Sequence, residues 1–383
     1  MRRARSLPSG SYVPPVPERE LTVVSADGSR IHTELHGPED APAVVLAHGW
    51  VCSTAFWAPV LRALSADHRV ILYDQRGHGR SPAPGPGGYS TEALADDLVA
   101  VLEATLPPGR RAVLAGHSMG AMTLIAAADR PPLRERAAAA VLCSTGASRL
   151  MERSRVVPLR SPRARSRAHR LLLGSRAPLG PVTPLSRRLV RYVTMGPGTV
   201  PATVEVAARI LHACPRVVRA GWGRVLADLE LDARVGQLTM PTAVIVGTVD
   251  RLTPIEHAHA LTAALPHCTG LTELPGLGHM TPLEDPEAVT GVIRGLVEEY
   301  GTSRETDLTT SQEPGSQESH PTSQESHSQE SHSQESHSQE PHSQESHSQQ
   351  PHSQESHSQK SHPTTATEAG HTAAAVEAKE RTA

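Results

Sequence analysis

The sequence contains a five-residue motif, Gly116-His117-Ser118-Met119-Gly120, in which a serine lies between two glycines at the spacing GxSxG. A buried strand pattern precedes the motif and an apolar helix pattern follows it, which is the context of a sharp turn that exposes a nucleophilic serine. Gly116 and Gly120 are required because side chains do not fit in so tight a turn. The turn aims the Ser118 hydroxyl and the Met119 backbone N–H at the same space, so the motif predicts nucleophilic attack on a carbonyl carbon.

The predicted nucleophile requires a base, because a serine hydroxyl reacts poorly unless a histidine accepts its proton. When a serine occupies such a strand-to-helix turn, its acid and then its histidine follow later in the chain. His279 lies in the segment GLGHM, between the last predicted strand and the last predicted helix, and is the predicted base. His257 and His259 lie inside a helix pattern, so we expect both to be surface residues.

The carboxylate that orients this histidine should lie in a loop at the carboxyl end of a strand. Asp250 follows the predicted strand PTAVIVGT almost directly. The loop after VLCS is the other candidate, and it offers only Ser144 and Thr145. Asp250 is therefore the predicted acid, with the role of holding His279 in the correct tautomer and stabilising its protonated form.

Stabilisation of an oxyanion requires a second backbone N–H opposite that of Met119. The segment His48-Gly49-Trp50 follows the strand pattern AVVLA, and the Trp50 N–H is therefore the candidate. Two interpretations of the Trp50 side chain stay open, namely a wall of the acyl pocket and a ring packed in the core.

These residues lie on the loops of a chain that alternates short apolar strands with helices. Such alternation is typical of a parallel sheet covered by helices on both faces. Asp27-Gly28 adds a predicted hairpin between residues 21–25 and 30–36. The predicted strands with their turns are 43–49, 69–74, 111–118, 137–145, 241–248 and 269–276, and the predicted helices are 54–66, 90–106, 119–130, 255–265 and 286–300.

The alternation is interrupted between about residues 147 and 237, where prolines separate short helical pieces, and this insertion is predicted to be a helical cap. From Arg149 to Arg191 the insertion carries 12 arginines and a single acid, Glu152. Three interpretations of the arginines stay open. They form a solvated surface, a surface on which the acidic C-terminal segment folds back, or a surface that attracts anionic substrates or an anionic membrane.

The hydrolytic residues fall within a predicted domain of residues 21–300. Residues 1–20, rich in proline and arginine, are predicted to be a disordered lead-in. Residues 301–383 contain SQESH-type repeats and are predicted to be a disordered tail, because they cannot bury enough apolar area to offset chain entropy. The tail contains ten histidines, which are potential weak metal ligands, but a repeat without a ligand is the preferred interpretation.

Charge and cysteine content exclude several classes of protein. Residues 1–300 carry a formal charge of +6, and the tail carries −9. A domain that is only mildly basic does not indicate nucleic-acid binding. Four widely spaced cysteines without a CxxC pair exclude a disulfide-dense scaffold and a thiolate zinc site. No apolar run is long enough to span a membrane or to form a secretory signal, so we expect a cytoplasmic protein without a metal centre.

Together, HGW, YDQRGHGRS (73–81), GHSMG, GTVDRLTP and PGLGHMTPLEDPE resemble the α/β-hydrolase superfamily from about Leu21 to Tyr300. The resemblance implies the α/β-hydrolase fold with a cap. It also implies a structural, non-catalytic turn formed by Asp74, Arg76, Gly77, Gly79 and Ser81.

The elbow GHSMG is similar to those of monoacylglycerol lipases, cofactor-free perhydrolases, and enol-lactone and ester hydrolases. Ser118 distinguishes the chain from epoxide hydrolases and haloalkane dehalogenases, which place an aspartate there. Val51-Cys52 stands where perhydrolases commonly have a proline.

The predicted function is cofactor-free hydrolysis of small or medium carboxylic esters through an acyl-enzyme on Ser118. One alternative is a lactone or C–C bond hydrolase, or a perhydrolase, with the same triad. Another is a non-catalytic ligand-binding protein that retains the fold. The predicted partner is a small-molecule ester, and the sequence predicts neither its identity nor an oligomeric state.

Overall fold

A computed structural model describes Gly10 and residues 12–301. Apart from Gly301, the predicted tail of residues 301–383 lies outside the described residues. The strands are β1 Arg19–Val24, β2 Arg30–His36, β3 Ala43–Ala47, β4 Arg69–Tyr73, β5 Ala112–His117, β6 Ala137–Cys143, β7 Thr242–Gly247 and β8 Cys268–Leu274. These strands form one sheet in the order β1-β2-β4-β3-β5-β6-β7-β8.

The sheet is mostly parallel. β1 and β2 form the antiparallel hairpin predicted at Asp27-Gly28, where Gly28 has a φ of 82°. β2 also pairs antiparallel with β4, whereas every later neighbour pairs in parallel, from β4–β3 through to β7–β8. The parallel strands β3 to β6 are buried along their whole length. The predicted fold class, a mostly parallel sheet of the α/β-hydrolase type, is confirmed.

Helices cover the sheet on both faces, and the alternation of side chains along a strand divides the core in two. Val45 of β3 packs in one cluster, whereas Val44 and Leu46 pack in the other. The first cluster includes the helices Thr91–Thr105 and Met119–Ala126, and the second includes the helices Ala58–Leu64 and Pro286–Tyr300. The helices are α1 Ala58–Leu64, α2 Thr91–Thr105, α3 Met119–Ala126, α4 Pro131–Arg136, α5 Leu150–Arg153, α6 Pro162–Leu173, α7 Pro184–Thr194, α8 Pro201–Ala213, α9 Arg216–Ala227, α10 Asp232–Val235, α11 Glu256–Ala264, α12 Thr281–Glu284 and α13 Pro286–Tyr300.

The chain between β6 and β7 contains α5 to α10, which we call the cap. α6 packs against α9, and α7 packs against α8. The indole Nε1 of Trp222, on α9, donates a hydrogen bond of 3.1 Å to the carbonyl oxygen of Arg76, and its side chain is fully buried. The cap is thus joined to the loop that follows β4.

The inner end of the predicted lead-in differs from the prediction. β1 begins at Arg19, and the Tyr12 hydroxyl lies 2.6 Å from Thr203 Oγ1 of the cap. Arg62 donates two hydrogen bonds to the carbonyl oxygen of Val13. These contacts are made with distant parts of the chain, so the local composition of the lead-in did not reveal them. Among the described residues, no helix combines the length and the apolar character that crossing a bilayer requires.

Candidate active site

Ser118 occupies the sharp turn between β5 and α3 and has φ 51° and ψ −114°. Positive φ is strained for a residue with a side chain, so the surrounding contacts must hold the turn in place. The Ser118 N–H donates to the carbonyl oxygen of Cys143 at 2.9 Å. The hydroxyl of Thr145 donates to the Ser118 carbonyl, also at 2.9 Å. The neighbouring strand β6 and its loop therefore fix both sides of the serine.

The two glycines of the motif are required by close backbone contacts. A Cβ atom at Gly116 would lie only 2.5 Å from the backbone nitrogen of Ala121 in α3. A Cβ atom at Gly120 would overlap the carbonyl oxygen of Ala47 at the end of β3. The start of α3 thus lies directly against β5 and β3, which leaves no room for a side chain at either glycine.

Asp250 and His279 are brought together by the loops after β7 and β8. Asp250 Oδ2 lies 2.8 Å from His279 Nδ1, and both side chains are buried. The same carboxylate accepts N–H bonds from Leu252 at 2.8 Å and Thr253 at 3.0 Å, and a hydroxyl bond from Thr253 at 2.8 Å. The carboxylate is therefore held in one orientation by its own loop, and it faces the ring nitrogen that must carry a proton if Nε2 is to act as a base.

The loop of His279 is anchored to the cap and to the elbow. The backbone N–H groups of His279 and Met280 both donate to the carbonyl oxygen of Thr194, at 2.8 and 3.1 Å. On the other side, His117 Nε2 lies 2.8 Å from the carbonyl oxygen of His279. Burial keeps the pKa of His117 well below its ordinary value, so its ring is neutral and donates through Nε2–H.

Glu284 joins the same loop to the segment that follows α7. Its carboxylate accepts hydrogen bonds from the Gly196 N–H at 2.7 Å, the Thr199 hydroxyl at 2.6 Å and the Gly278 N–H at 3.0 Å. Two backbone amides and one hydroxyl on a single partly buried carboxylate fix the position of Gly278, which directly precedes His279.

His117 directly precedes Ser118, and its ring lies 5.0 Å from the ring of His279. The loop of His279 therefore lies beside the serine turn. Among the contacts of the described residues, no hydrogen bond joins Ser118 Oγ to His279 Nε2. In enzymes without bound substrate this hydrogen bond is often long and tightens only in the reacting complex. The structure thus links a serine in a strained turn, through His117, to the loop of a histidine whose ring Asp250 orients.

The backbone N–H groups of Trp50 and Met119 are the predicted oxyanion donors. Met119 is the first residue of α3. The next residue, Gly120, lies close to the backbone of Ala47 and His48, so the turn before α3 lies against the turn that contains Trp50. Neither N–H donates to another group within the part of the chain that the structure describes. The indole of Trp50 is half-buried, packs against the core and donates to the carbonyl oxygen of Arg219 at 3.1 Å.

His48 supports the turn that contains Trp50. Its Nδ1 lies 2.8 Å from the carbonyl oxygen of Gly49, and its Nε2 accepts the N–H of Gln75 at 3.0 Å. Burial lowers the pKa of His48 to about 3, so the ring is neutral and these two roles define its tautomer. His48 therefore has a structural role.

The turn after β4 is structural, as the resemblance implied. Asp74 accepts the N–H groups of Thr54 and Arg80, each at 2.8 Å, and Ser81 Oγ donates to the Asp74 carbonyl oxygen at 2.6 Å. Arg76 is buried and bonds Asp97 through Nε at 2.7 Å and Nη2 at 2.5 Å.

One expectation about the histidines is wrong. His259 is exposed and pairs with Glu273 at 2.9 Å, but His257 is only 2% exposed. A Cβ atom at Gly146 would lie 2.5 Å from His257 Nδ1, so the missing side chain at that glycine leaves room for the ring. The contact joins residues far apart in the chain, and the helix pattern around His257 could not reveal it.

The candidate site includes side chains in contact with His279 that the sequence analysis did not single out. His117 lies inside the motif itself, and Thr253 lies three residues beyond Asp250, with its hydroxyl 3.2 Å from His279 Nδ1. The only sequence signal for these two residues was that each lies within a few residues of a predicted site residue. Thr194 contributes a backbone carbonyl, for which residue type carries no signal.

Within the described residues, one group has metal-ligand types within reach of one another, namely Glu20, His32 and Glu34, whose ligand atoms lie within 4.8 Å. Arg80 already binds both carboxylate oxygens of Glu20 at 2.6 Å, and His32 contacts Glu34 at 3.1 Å. The group is an ionic cluster on β1 and β2, and we assign no metal to it.

Comparison with known proteins gives the family. A profile of the alpha/beta hydrolase family matches residues 44–292, which include the elbow, the cap and both loops of Asp250 and His279. The chain belongs to the alpha/beta hydrolase family.

Several relatives of this alpha/beta hydrolase have names or solved structures. A protein of Variovorax paradoxus (strain S110), provisionally named carbamate hydrolase RutD, is 34% identical over 258 residues, covering 65% of this chain and 89% of the relative. A thermophilic esterase from Thermogutta terrifontis, solved with malate bound, is 25% identical with a TM-score of 0.60, covering 74% of this chain and 100% of the esterase. A hydrolase from Pseudomonas aeruginosa PA01 is also 25% identical with a TM-score of 0.60, covering 73% of this chain and 98% of that one.

Proposed function

We propose that this alpha/beta hydrolase cleaves carboxylic esters through an acyl-enzyme formed on Ser118. The observation that carries the proposal is the Asp250–His279 contact of 2.8 Å, in a loop that His117 attaches to the serine turn. In acyl transfer, a histidine held in this orientation accepts the serine proton and later gives it to the leaving group. The esterase among the solved relatives supports the same reaction class.

In the proposed reaction, Ser118 Oγ attacks the ester carbonyl carbon while its proton passes to His279 Nε2. The Trp50 and Met119 N–H groups donate to the oxyanion of the tetrahedral intermediate. The C–O bond to the alcohol then breaks, and His279 returns the proton to the departing alkoxide. Water, deprotonated by His279, then attacks the acyl-serine carbonyl. The acyl–Oγ bond breaks, the acid is released, and His279 returns the proton to Ser118 Oγ. Asp250, in contact with Nδ1, stabilises the imidazolium that forms.

Carbamate hydrolysis is the second candidate. It is favoured by the provisional name of the relatives that are 34% identical to this chain over 258 residues and 30% identical over 270 residues. The same residues would attack a carbamate carbonyl and form a carbamoyl-serine in place of an acyl-serine. A carbamoyl-serine is hydrolysed more slowly, because nitrogen donates electrons into its carbonyl group.

The decisive experiment treats the full chain and its Ser118→Ala variant with a fluorophosphonate probe and then with a panel of substrates. The panel pairs p-nitrophenyl esters of increasing chain length with a p-nitrophenyl carbamate, and adds a lactone and a β-diketone. We expect labelling of Ser118, preference for an ester, and a loss on the order of 10⁴-fold in Ser118→Ala. Retention of more than about a tenth of the activity in that variant would refute the nucleophile. Ligand-induced stabilisation without any turnover would instead indicate a binding protein.

A further inference from the structure

The cap contains a pocket next to the catalytic loops that the proposed reaction does not use. Its volume is about 160 Å³, and it lies at the end of α7, over the segment that follows this helix and the loop after β7. Pockets that enclose a whole drug-sized ligand are larger, about 300–1,000 Å³, so this one fits a single functional group. The residues around it are Arg188, Arg191, Tyr192, Met195, Gly196, Pro197 and Arg251.

Three arginines surround this pocket, and none of them pairs with a carboxylate of the described residues. Arg251 Nη1 donates to the carbonyl oxygen of Tyr192 at 2.9 Å, and its guanidinium lies over the Tyr192 ring, 4.6 Å from the centroid. Arg188 and Arg191 are exposed on α7. Some other cap arginines do pair with a carboxylate, for example Arg187, which bonds Glu205 at 2.9 Å.

Three permanent cations around one small pocket repel one another unless an anion lies between them. A guanidinium group presents a planar set of N–H donors that matches the oxygens of a carboxylate or a phosphate. The aromatic ring of Tyr192 already orients one of the three guanidinium groups. We propose that this pocket binds an oxyanion group, a carboxylate or phosphate, held by Arg188, Arg191 and Arg251.

The pocket shares its backbone with the candidate active site. Arg251 directly follows Asp250, and Met195 directly follows Thr194, whose carbonyl oxygen accepts the N–H of His279. A Cβ atom at Gly278 would overlap the backbone of Met195, so the two loops are in close contact. Ligand in the pocket therefore contacts the segments that position the proposed acid and base. This coupling to turnover, unlike binding itself, rests on the proposed function.

The bound oxyanion group could belong to the acidic end of a substrate or to a free anion such as inorganic phosphate. The two measurements below distinguish these ligands. The test variant is Arg188→Gln/Arg191→Gln in the full chain. Its matched control is Arg163→Gln/Arg167→Gln, which removes two exposed arginines of α6 that lie outside the pocket. Arg188→Lys/Arg191→Lys keeps the charge but removes the planar donors.

The first measurement is phosphate binding by calorimetry at constant ionic strength, which requires no catalytic activity. We expect the affinity to fall about ten-fold or more in Arg188→Gln/Arg191→Gln, to fall less in the lysine variant, and to stay within about two-fold of wild type in the control. An equal loss in the control would overturn the site, because it would reveal only a general attraction of the basic cap. Absence of phosphate binding would overturn the site too, if the two esters described below also behave equally in all variants.

The second measurement compares kcat/KM for mono-p-nitrophenyl succinate with that for p-nitrophenyl valerate, which has a similar length and no carboxylate. A substrate-borne oxyanion predicts that the pocket variant loses about ten-fold on the succinate alone. A free oxyanion predicts that phosphate changes turnover of both esters in the wild type and of neither in the pocket variant. Equal behaviour of the two esters in all variants, without any phosphate effect, would overturn the proposal. If neither ester is hydrolysed, the proposed function fails, and the calorimetric result still decides the pocket.

Discussion

His117 Nε2 lies 2.8 Å from the carbonyl oxygen of His279, so the residue before the candidate nucleophile holds the loop of the candidate base. The His117 ring is fully enclosed, with the Phe56 ring 4.5 Å away on one side and the His279 ring 5.0 Å away on the other. Its Nδ1 has no hydrogen-bond partner among the described residues. Within residues 12–301, the one hydrogen bond of this ring is therefore the bond that links the serine turn to the loop of His279.

Replacing His117 with phenylalanine should lower kcat without abolishing the fold. Phenylalanine fills a similar volume but cannot donate to the His279 carbonyl, and a displacement of about 1 Å in a catalytic group can cost about 100-fold in rate. We expect a fall in kcat of about 10- to 100-fold at nearly unchanged KM. Esterase kinetics and a melting curve check this, and His117→Gln, which retains an N–H donor, should recover part of the loss. Full activity in His117→Phe would contradict the positioning role.

Asp250→Asn should reduce ester hydrolysis by roughly 10⁴-fold, because the amide would favour the wrong tautomer of His279. Thr253→Val is the matched comparison, since it removes a hydroxyl that contacts both residues but leaves the carboxylate in place. We expect Thr253→Val to cost about ten-fold at most. The two variants are compared by kcat/KM on one p-nitrophenyl ester. If Asp250→Asn were as active as Thr253→Val, the orienting acid would have to be sought elsewhere.

Asp97→Ala should destabilise the protein strongly. The side chains of Arg76 and Asp97 are each 1% exposed. Removal of the Asp97 carboxylate leaves a buried cation whose remaining anionic partner among the described residues is the half-exposed Asp27. Loss of one member of a buried pair typically costs about 3–5 kcal/mol, and we expect the lower end of that range. Asp67→Ala, which breaks the exposed pair with Arg294, should cost less than about 1 kcal/mol. Urea unfolding of both variants measures the difference, and similar losses would argue against this account.

Glu34 should make stability depend on acid pH. Burial alone would raise its pKa, but hydrogen bonds from His32 and His36 outweigh burial and lower the pKa to about 2, from an ordinary value of 4.5. A lowered pKa in the folded state contributes stability that is present above about pH 4.5 and is lost as pH falls towards about 2. The advantage of wild type over Glu34→Gln should therefore shrink across this window.

The measurement for Glu34 is the free energy of unfolding at a series of pH values. Glu39→Gln is the control, because Glu39 is exposed, and its difference from wild type should stay flat. A constant gap between wild type and Glu34→Gln would contradict the role of the histidine hydrogen bonds.

Sequence predicted the features of the site that local patterns encode. The glycines around Ser118, the loop after a buried strand for Asp250 and the glycine-flanked loop for His279 are each visible within a few residues. The burial of His257 and the contact of Tyr12 with Thr203 depend on residues distant in the chain. No local pattern carries that information, and the same is true of the bond from His117 to the His279 carbonyl.

The carbonyl oxygen of Thr194 and the carboxylate of Glu284 attach the segment between α7 and α8, in the middle of the cap, to the loop of His279. Residues 194–199 thus belong with the sheet rather than with the helices before them when domains are exchanged between relatives. A chimera that takes α5 to most of α7 from another family member would keep the support of its base if the junction preceded Thr194. A junction placed after Thr199 would replace residues 194–199, and with them the residues whose hydrogen bonds hold Glu284 and the loop of His279.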